Sequence, residues 1–243
     1  MKAAWRWIAL VLLALAGLQL FFVAWIAALA IVAPASTTFQ RSEAWRILRE
    51  RDRLRWSQHW VPYAQISDHL KRAVIASEDA SFAEHDGVDW DALEKAWERN
   101  AKAEELAAKR AMLAPARPPR VKILGGSTIT QQLAKNLLLS GERSLLRKGQ
   151  EFVLTMLLEH MLDKQRILEL YLNNVEWGEG VFGAEAAAQH YYRKPASRLT
   201  PYEAARLAVM LPQPKRFEKM PGSRYLAARS ATIAARMRDA ELP

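Results

Sequence analysis

Apolar residues fill the first part of the chain and then recur with helical spacing. Between Trp7 and Gln40 there is no Asp, Glu, Lys or Arg, and residues 8–32 are apolar except for one glycine and one glutamine. A helix needs about 20 such residues to cross the hydrocarbon core of a membrane. The pattern therefore predicts a short N-terminal tip and one transmembrane helix within residues 1–35, followed by one domain over residues 36–243.

A cleaved signal peptide is the competing interpretation, since Ala-Pro-Ala at 33–35 resembles a cleavage site. Signal cores usually span about 7–15 apolar residues, and this run is longer, which favours an uncleaved anchor. Charge does not decide the orientation, because basic residues flank both ends of the run: Lys2, Arg6, Arg41, Arg46 and Arg49.

Beyond residue 40 the hydrophobic spacing is mostly helical, and several capping residues mark where helices start. Ser67 and Asp163 each precede an apolar-periodic run, and Thr200 opens a capping box with a proline at the first helical position. A further helix is predicted from Asp89 to Ala108, and no long segment alternates with period two. The domain is therefore expected to be mostly α.

Composition adds charge to this picture. The formal net charge is +9, which favours anionic partners, and 51% hydrophobic residues exclude a mostly disordered chain. There is no cysteine, so disulfides, thiolate nucleophiles and Cys-ligated zinc are excluded. Five basic residues and no acid lie in the proline-rich stretch 109–122, which predicts a mobile basic loop.

Residues of catalytic type are concentrated in three stretches. Glu78 and Asp79 end an apolar helix and are followed by Phe82, His85 and Gly87. Adjacent carboxylates point in different directions from a helix, so one of the pair can face a given cleft. Charges at a helix end on the protein surface are the plain alternative.

The second stretch runs from Gly125 to Asn136, where a glycine-rich loop feeds a helix start that favours an anion. Within this stretch, Gln131, Gln132 and Lys135 share one helix face. An ordinary cap followed by a solvent face is the alternative. In the third stretch Arg147 and Glu151 are spaced i,i+4, which by itself indicates no more than a surface ion pair.

Taken together and in order, these stretches resemble three signature motifs of the family 51 glycosyltransferases, the peptidoglycan glycosyltransferases of bacterial cell-wall synthesis. A fourth motif is similar to residues 166–173 with their glycine-rich continuation, and a fifth to residues 199–208. The resemblance covers about residues 60–220. Thr155 stands where the third motif usually has Ala, Gln213 stands where Asn is common, and the 109–122 region is longer than usual.

The resemblance implies a lysozyme-like glycosyltransferase domain with a small membrane-facing subdomain, on the outer (periplasmic) face of the bacterial cytoplasmic membrane. No Ser-x-x-Lys or Lys-Thr-Gly of a transpeptidase is present, so the resemblance is to monofunctional members. Such enzymes polymerise lipid II, a disaccharide-peptide on a polyprenyl diphosphate, into glycan strands. Membrane lipids are expected contacts, other cell-wall synthesis proteins are candidate partners, and no nucleic-acid partner is expected.

By resemblance, Glu78 is the general base for the acceptor 4-hydroxyl, and Lys135 and Arg147 hold the diphosphate. Glu151 is the second catalytic glutamate, orienting basic groups or a divalent cation. Inverting geometry leads us to expect about 6.5–9.5 Å or somewhat more between the Glu78 and Glu151 carboxyl groups. The remaining predicted residues shape the turn at Glu78 or line the donor groove, with packing as the alternative: Asp79, Phe82, His85, Gly87, Ser127, Thr128, Gln131, Gln132 and Asn136.

No organic cofactor is expected, and a divalent cation, Mg²⁺ or Mn²⁺, is a candidate. Two other functions compete with the glycosyltransferase. A wall-cleaving lytic enzyme on a similar fold would need a protonated glutamate and has no use for two cations at a diphosphate. A membrane-anchored basic scaffold would explain the anchor and the charge but leaves these motifs without a role.

Overall fold

The computed structural model describes residues 2–113, 125–139 and 144–243, and its helices enclose one continuous apolar core. The helices are α1 (Lys2–Leu29), α2 (Thr38–Arg51), α3 (Asp68–Glu78), α4 (Trp90–Leu113), α5 (Ile129–Leu138), α6 (Leu145–Met161), α7 (Lys164–Asn174), α8 (Ala184–Tyr192), α9 (Pro201–Met210), α10 (Pro214–Glu218) and α11 (Arg224–Arg236). The described chain is thus mostly helical, as predicted, and its architecture is lysozyme-like.

Capping side chains start these helices where the sequence predicted them. The Ser67 hydroxyl accepts from the His69 N–H at the start of α3, and the Asp163 carboxylate accepts from the Arg166 N–H at the start of α7. Thr200 and Glu203 form the predicted capping box of α9. Each cap satisfies backbone donors that the first helical turn leaves without partners.

A small sheet completes the fold, with strands β1 (Ser57–Gln58), β2 (Glu176–Gly178) and β3 (Val181–Phe182) in the order β1-β3-β2. β3 pairs parallel with β1 and antiparallel with β2. The sequence did not predict this sheet, because strands of two or three residues are too short to produce an alternating pattern.

Two groups of helices hold the site. α3 and α11 pack on α9, and α5 packs against α6, α7 and α2. The buried face of α3 carries Leu70, Val74 and Ile75, which fixes the helix and with it the position of its last residue, Glu78.

Helix α4 corrects one prediction. The basic loop was expected to begin at Lys109, but the helix continues to Leu113, so the first five residues of that stretch are helical. No helix breaker precedes Pro115, and the Ala-, Glu- and Lys-rich sequence has high helix propensity up to that point. The rest of the predicted loop, residues 114–122, lies outside the described residues.

The predicted anchor is the helix α1, of which residues Ala4–Leu29 are long and apolar enough to span a membrane. Most of its side chains are exposed, whereas Phe22, Ile26 and Leu29 are buried in the same core cluster as the rest of the domain. α1 therefore packs on the domain through its last two turns.

Candidate active site

Glu78, the last residue of α3, lines a cleft of about 730 Å³. The walls come from the turn after α3, the first part of α4, the Gly125–Thr128 loop and α11. The cleft is bordered by both acidic and basic side chains, including Asp89, Lys95, Arg229 and Arg236. A carboxylate at the end of a packed helix and open to such a cleft can act on a polar ligand.

Burial raises the pKa of Glu78 above its ordinary value. Hydrogen bonds from Gln132 and Ser77 and the positive charge of Arg229 oppose this rise, and the neighbouring Asp79 adds to it. The Gln132 side-chain nitrogen donates to Glu78 Oε2 at 3.1 Å. A carboxylate with a raised pKa is a stronger base than an ordinary one, which suits it to take a proton from a substrate hydroxyl.

The hydrogen bond from Gln132 is oriented by a third residue. The hydroxyl of Tyr171, a buried residue of α7, donates to Gln132 Oε1 at 3.0 Å. The amide oxygen is thereby occupied, which leaves the amide nitrogen to donate to Glu78. Tyr171 thus acts on the carboxylate through Gln132.

Asp79 also lines the cleft, and its carboxylate connects three segments of the chain. One of its oxygens accepts from the backbone N–H of Ile129 at 2.9 Å, at the start of α5, and the other lies 2.8 Å from His85 Nε2. His85 Nδ1 in turn accepts from the Gly87 N–H at 3.1 Å. Burial lowers the pKa of His85, but the hydrogen bond and charge of Asp79 outweigh it, and the net direction is upward. These contacts hold the turn that follows Glu78.

Gly87 is required by the backbone at this turn. Its φ is +85°, and a Cβ there would lie 2.7 Å from Thr155 Cγ2 and 2.9 Å from Glu159 Cγ. Its carbonyl accepts from the Thr128 hydroxyl at 2.7 Å. Phe82, on the same turn, is fully buried.

The second predicted stretch divides into capping and cleft residues. Thr128 and Gln131 form a reciprocal capping box at the start of α5 and are buried, and Thr128 also borders the cleft. Ser127 is exposed and lines the cleft, and Gln132 reaches Glu78. Asn136 lies half-buried one turn further along α5.

A cluster of charges lies between α5 and α6. Arg147 Nη1 donates to Glu151 Oε2 at 2.8 Å, and Lys148 Nζ binds the other oxygen, so the buried Glu151 carboxylate is held by two cations. The side chain of Lys135 reaches solvent, but the surrounding protein removes part of its hydration. This desolvation and the charges of Arg147 and Lys148 lower the pKa of Lys135, while Glu151 acts in the opposite direction. Lys135 and Arg147, predicted as a pair, are therefore electrostatic neighbours beside Glu151.

The same contacts bear on a divalent cation. Both Glu151 oxygens already accept hydrogen bonds from cationic side chains, which does not match the free oxygen ligands that Mg²⁺ prefers. Within residues 2–113, 125–139 and 144–243, no group of three or more His, Asp and Glu side chains could hold a metal ion. The contacts that the structure shows for Glu151 are those with Arg147 and Lys148.

Four basic residues that line the cleft were not among the predicted site residues: Lys95, Arg99, Arg229 and Arg236. Their spacing along the helices is the feature of the sequence that could have indicated them. The two on α4 are four residues apart and the two on α11 are seven apart, so each pair shares one helix face. Their place beside Glu78 follows from the packing of α11 on α3 and α9, which the pattern along the chain does not indicate.

A helical, lysozyme-like domain with a poised carboxylate in a cleft defines the class of enzymes that act at glycosidic bonds. A family model described as Transglycosylase matches residues 45–238. A biosynthetic peptidoglycan transglycosylase of Burkholderia thailandensis is 53% identical over 93% of this chain and 82% of its own length. Another of Paraburkholderia xenovorans is 51% identical over 98% of this chain and 94% of its own. The chain belongs to the transglycosylase family and is a glycosyltransferase acting on peptidoglycan.

Proposed function

We propose that this protein polymerises lipid II into glycan strands with release of polyprenyl diphosphate, with Glu78 as the general base. The observation that carries the proposal is the arrangement along α5. Gln132 binds Glu78, and Lys135 follows three residues later on the same helix, beside Arg147 and Glu151. One helix thus connects a carboxylate for proton removal with cations for a departing anion.

In the proposed step the acceptor 4-hydroxyl attacks the anomeric carbon of the donor from the face opposite the diphosphate. Glu78 takes the hydroxyl proton as the new carbon–oxygen bond forms. The bond from the anomeric carbon to the diphosphate breaks, its electron pair leaves with the polyprenyl diphosphate, and the anomeric centre is inverted. The predicted separation of the Glu78 and Glu151 carboxyl groups, about 6.5–9.5 Å or somewhat more, is the one expected for an inverting reaction.

The leaving group needs charge stabilisation more than protonation, because a diphosphate is already a good leaving group. Cations fixed in place before the reaction supply this without reorganisation. Glu151 holds Arg147 and Lys148 in position, and Lys135 reaches solvent beside them. We assign the diphosphate to Lys135 and Arg147.

As a single membrane span, α1 would tether the domain to the inner membrane. The side of the membrane follows from the family resemblance, by which we assign the domain to the periplasmic face. The growing glycan strand is then the donor, membrane lipids surround α1, and other cell-wall synthesis proteins are candidate partners.

Lipid II turnover by the purified full-length protein in detergent tests the proposal, with and without Mg²⁺ or Mn²⁺. Glu78→Gln is expected to bind lipid II but form no polymer, while Glu84→Gln, an exposed glutamate of the same cleft, retains polymerisation. Polymerisation by Glu78→Gln would refute the base assignment. Incubation with purified sacculi separates the lytic alternative, because release of muropeptides would mean cleavage instead of synthesis.

A further inference from the structure

The anchor helix meets α6 along a narrow stripe. Gln19, Phe22, Ile26 and Leu29 are spaced three, four and three residues apart, which places them on one face of α1. The last three are buried, although most of the helix is exposed. Gln19 is therefore the residue of this stripe that lies nearest to the N-terminus of α1.

Gln19 makes a reciprocal pair with Gln150 of α6. The Gln19 amide nitrogen donates to Gln150 Oε1 at 3.0 Å, and the Gln150 amide nitrogen donates to Gln19 Oε1 at 3.2 Å. Gln150 lies on α6 between Arg147 and Glu151. The contact between Gln19, which lies in the apolar span, and Gln150 is therefore next in the sequence to Glu151 of the charged cluster.

Arg166 fastens the other end of the same stripe. Its guanidinium donates to the Leu29 carbonyl at 2.8 Å and to the Val32 carbonyl at 2.9 Å, which binds the C-terminal end of α1 to the start of α7. Gln19 and Leu29 are ten residues apart, or about 15 Å along a helix. Two polar contacts at that separation oppose sliding and rotation of α6 and α7 relative to α1, because either movement would break hydrogen bonds.

We propose that Gln19 is a positioning residue: its pair with Gln150 fixes the depth of α6 relative to the bilayer, and so sets Arg147 at the level of the substrate diphosphate. The proposal rests on the proposed function. Leu145 and Leu146, which begin α6, are 92% and 88% exposed, as expected for side chains that enter the outer leaflet. In lipid an unpaired amide has no water to bind, so the pair favours the docked arrangement.

Rates in two media test this. In phosphatidylethanolamine–phosphatidylglycerol vesicles containing lipid II, Gln19→Leu is expected to lower kcat/KM about tenfold, because small misplacements of binding groups are costly. In detergent with a short-chain lipid II analogue, no bilayer defines the depth of α6. The same variant is therefore expected to match the unsubstituted protein there. Leu20→Ala, on the exposed face of α1, is the matched control and retains the vesicle rate.

The two glutamines are tested as a pair by a double-mutant cycle. Gln150→Leu is expected to reproduce the loss of Gln19→Leu, and the double variant is expected to be no worse than either single one. Losses that multiply instead would show that the residues act independently, which would overturn the proposal. An equal loss in vesicles and in detergent would also overturn it, because a general defect in folding would explain both.

A depth measurement needs no activity. The chain has no cysteine, so Leu145→Cys carries a single nitroxide label whose immersion is read from its accessibility to oxygen and to a soluble nickel complex. We expect the label in the lipid, and we expect it to become shallower when Gln19→Leu is added. An unchanged depth refutes the positioning role. Failure of the unsubstituted protein to polymerise lipid II refutes the proposed function alone, and the depth result still decides this inference.

Discussion

Gln132 donates a hydrogen bond to Glu78 across 3.1 Å, although the two residues are 54 positions apart in the chain. The bond stabilises the ionised form of a carboxylate whose burial favours the neutral form. The packing of α3 fixes the position of Glu78, whereas its protonation depends in part on α5. The same helix carries Lys135, so a shift of α5 would alter the base and the diphosphate site together.

The first prediction concerns the pKa of the base. Gln132→Ala removes a hydrogen bond that lowers the pKa of Glu78, so that pKa should rise. Because the base must be ionised to accept a proton, the acidic limb of kcat/KM against pH is expected to move upward by about one pH unit. Tyr171→Phe, which leaves Gln132 in place, should move it less. A lower plateau with an unmoved limb would mean that Gln132 contacts substrate instead.

The second prediction separates Lys135 from Arg147. Each alanine substitution is expected to lower kcat/KM for diphosphate-bearing donors by about 10–100-fold, the range for a lost charge-assisted hydrogen bond. Lys135 is exposed, so Lys135→Ala should leave Tm unchanged, whereas Arg147→Ala removes a partner of the buried Glu151 and should lower Tm as well. Lys219→Ala, an exposed lysine far along the chain, is the control. Equal weakening of sugar fragments lacking diphosphate would contradict the assignment.

The helix starts were predictable because their signals are local. A capping side chain and its backbone partner are two or three residues apart, as at Ser67, Asp163 and Thr200, and the sequence displays both. Thr128 and Gln131 show the limit of this. Their spacing predicts the capping box that the structure shows, but nothing in that spacing indicates that Thr128 also lines the cleft.

Contacts between distant segments were not predictable from the pattern. Nothing near Gln132 indicates that it binds Glu78 instead of solvent, and nothing near Arg229 indicates the cleft, because both placements depend on helix packing. The family resemblance indicated which of these distant residues belong to one site, which the hydrophobic and polar pattern of the sequence does not. It grouped Glu78, Lys135, Arg147 and Glu151 before any contact was known, and the last three do lie together.

The third prediction concerns the tight turn at Gly87. Gly87→Ala is expected to lower the free energy of unfolding by about 2–3 kcal/mol, since it adds a methyl group to a filled space at positive φ. Thr155→Ala removes the methyl group nearest to that position, so the double variant should recover part of the loss. Gly149→Ala, a helical glycine with open space around its Cβ position, should be neutral or stabilising. Chemical denaturation measures all of these, and a Gly87→Ala variant as stable as the unsubstituted protein would contradict the strain.

The last prediction concerns Glu176, a buried residue of β2 beside Lys215 and Glu43. Burial raises its pKa from 4.5 to about 7, although Lys215 acts in the opposite direction. Between these two values the folded state binds more protons than the unfolded state, so this group's contribution to stability falls as pH rises through that window. Glu176→Gln is therefore expected to stabilise the protein at pH 8 by roughly 1–3 kcal/mol, and the gain should vanish below pH 4.5. Denaturant unfolding at a series of pH values measures the difference, with Glu84→Gln as the exposed control. A gain that is the same at every pH would show that removing the carboxylate acts through packing and not through its protonation.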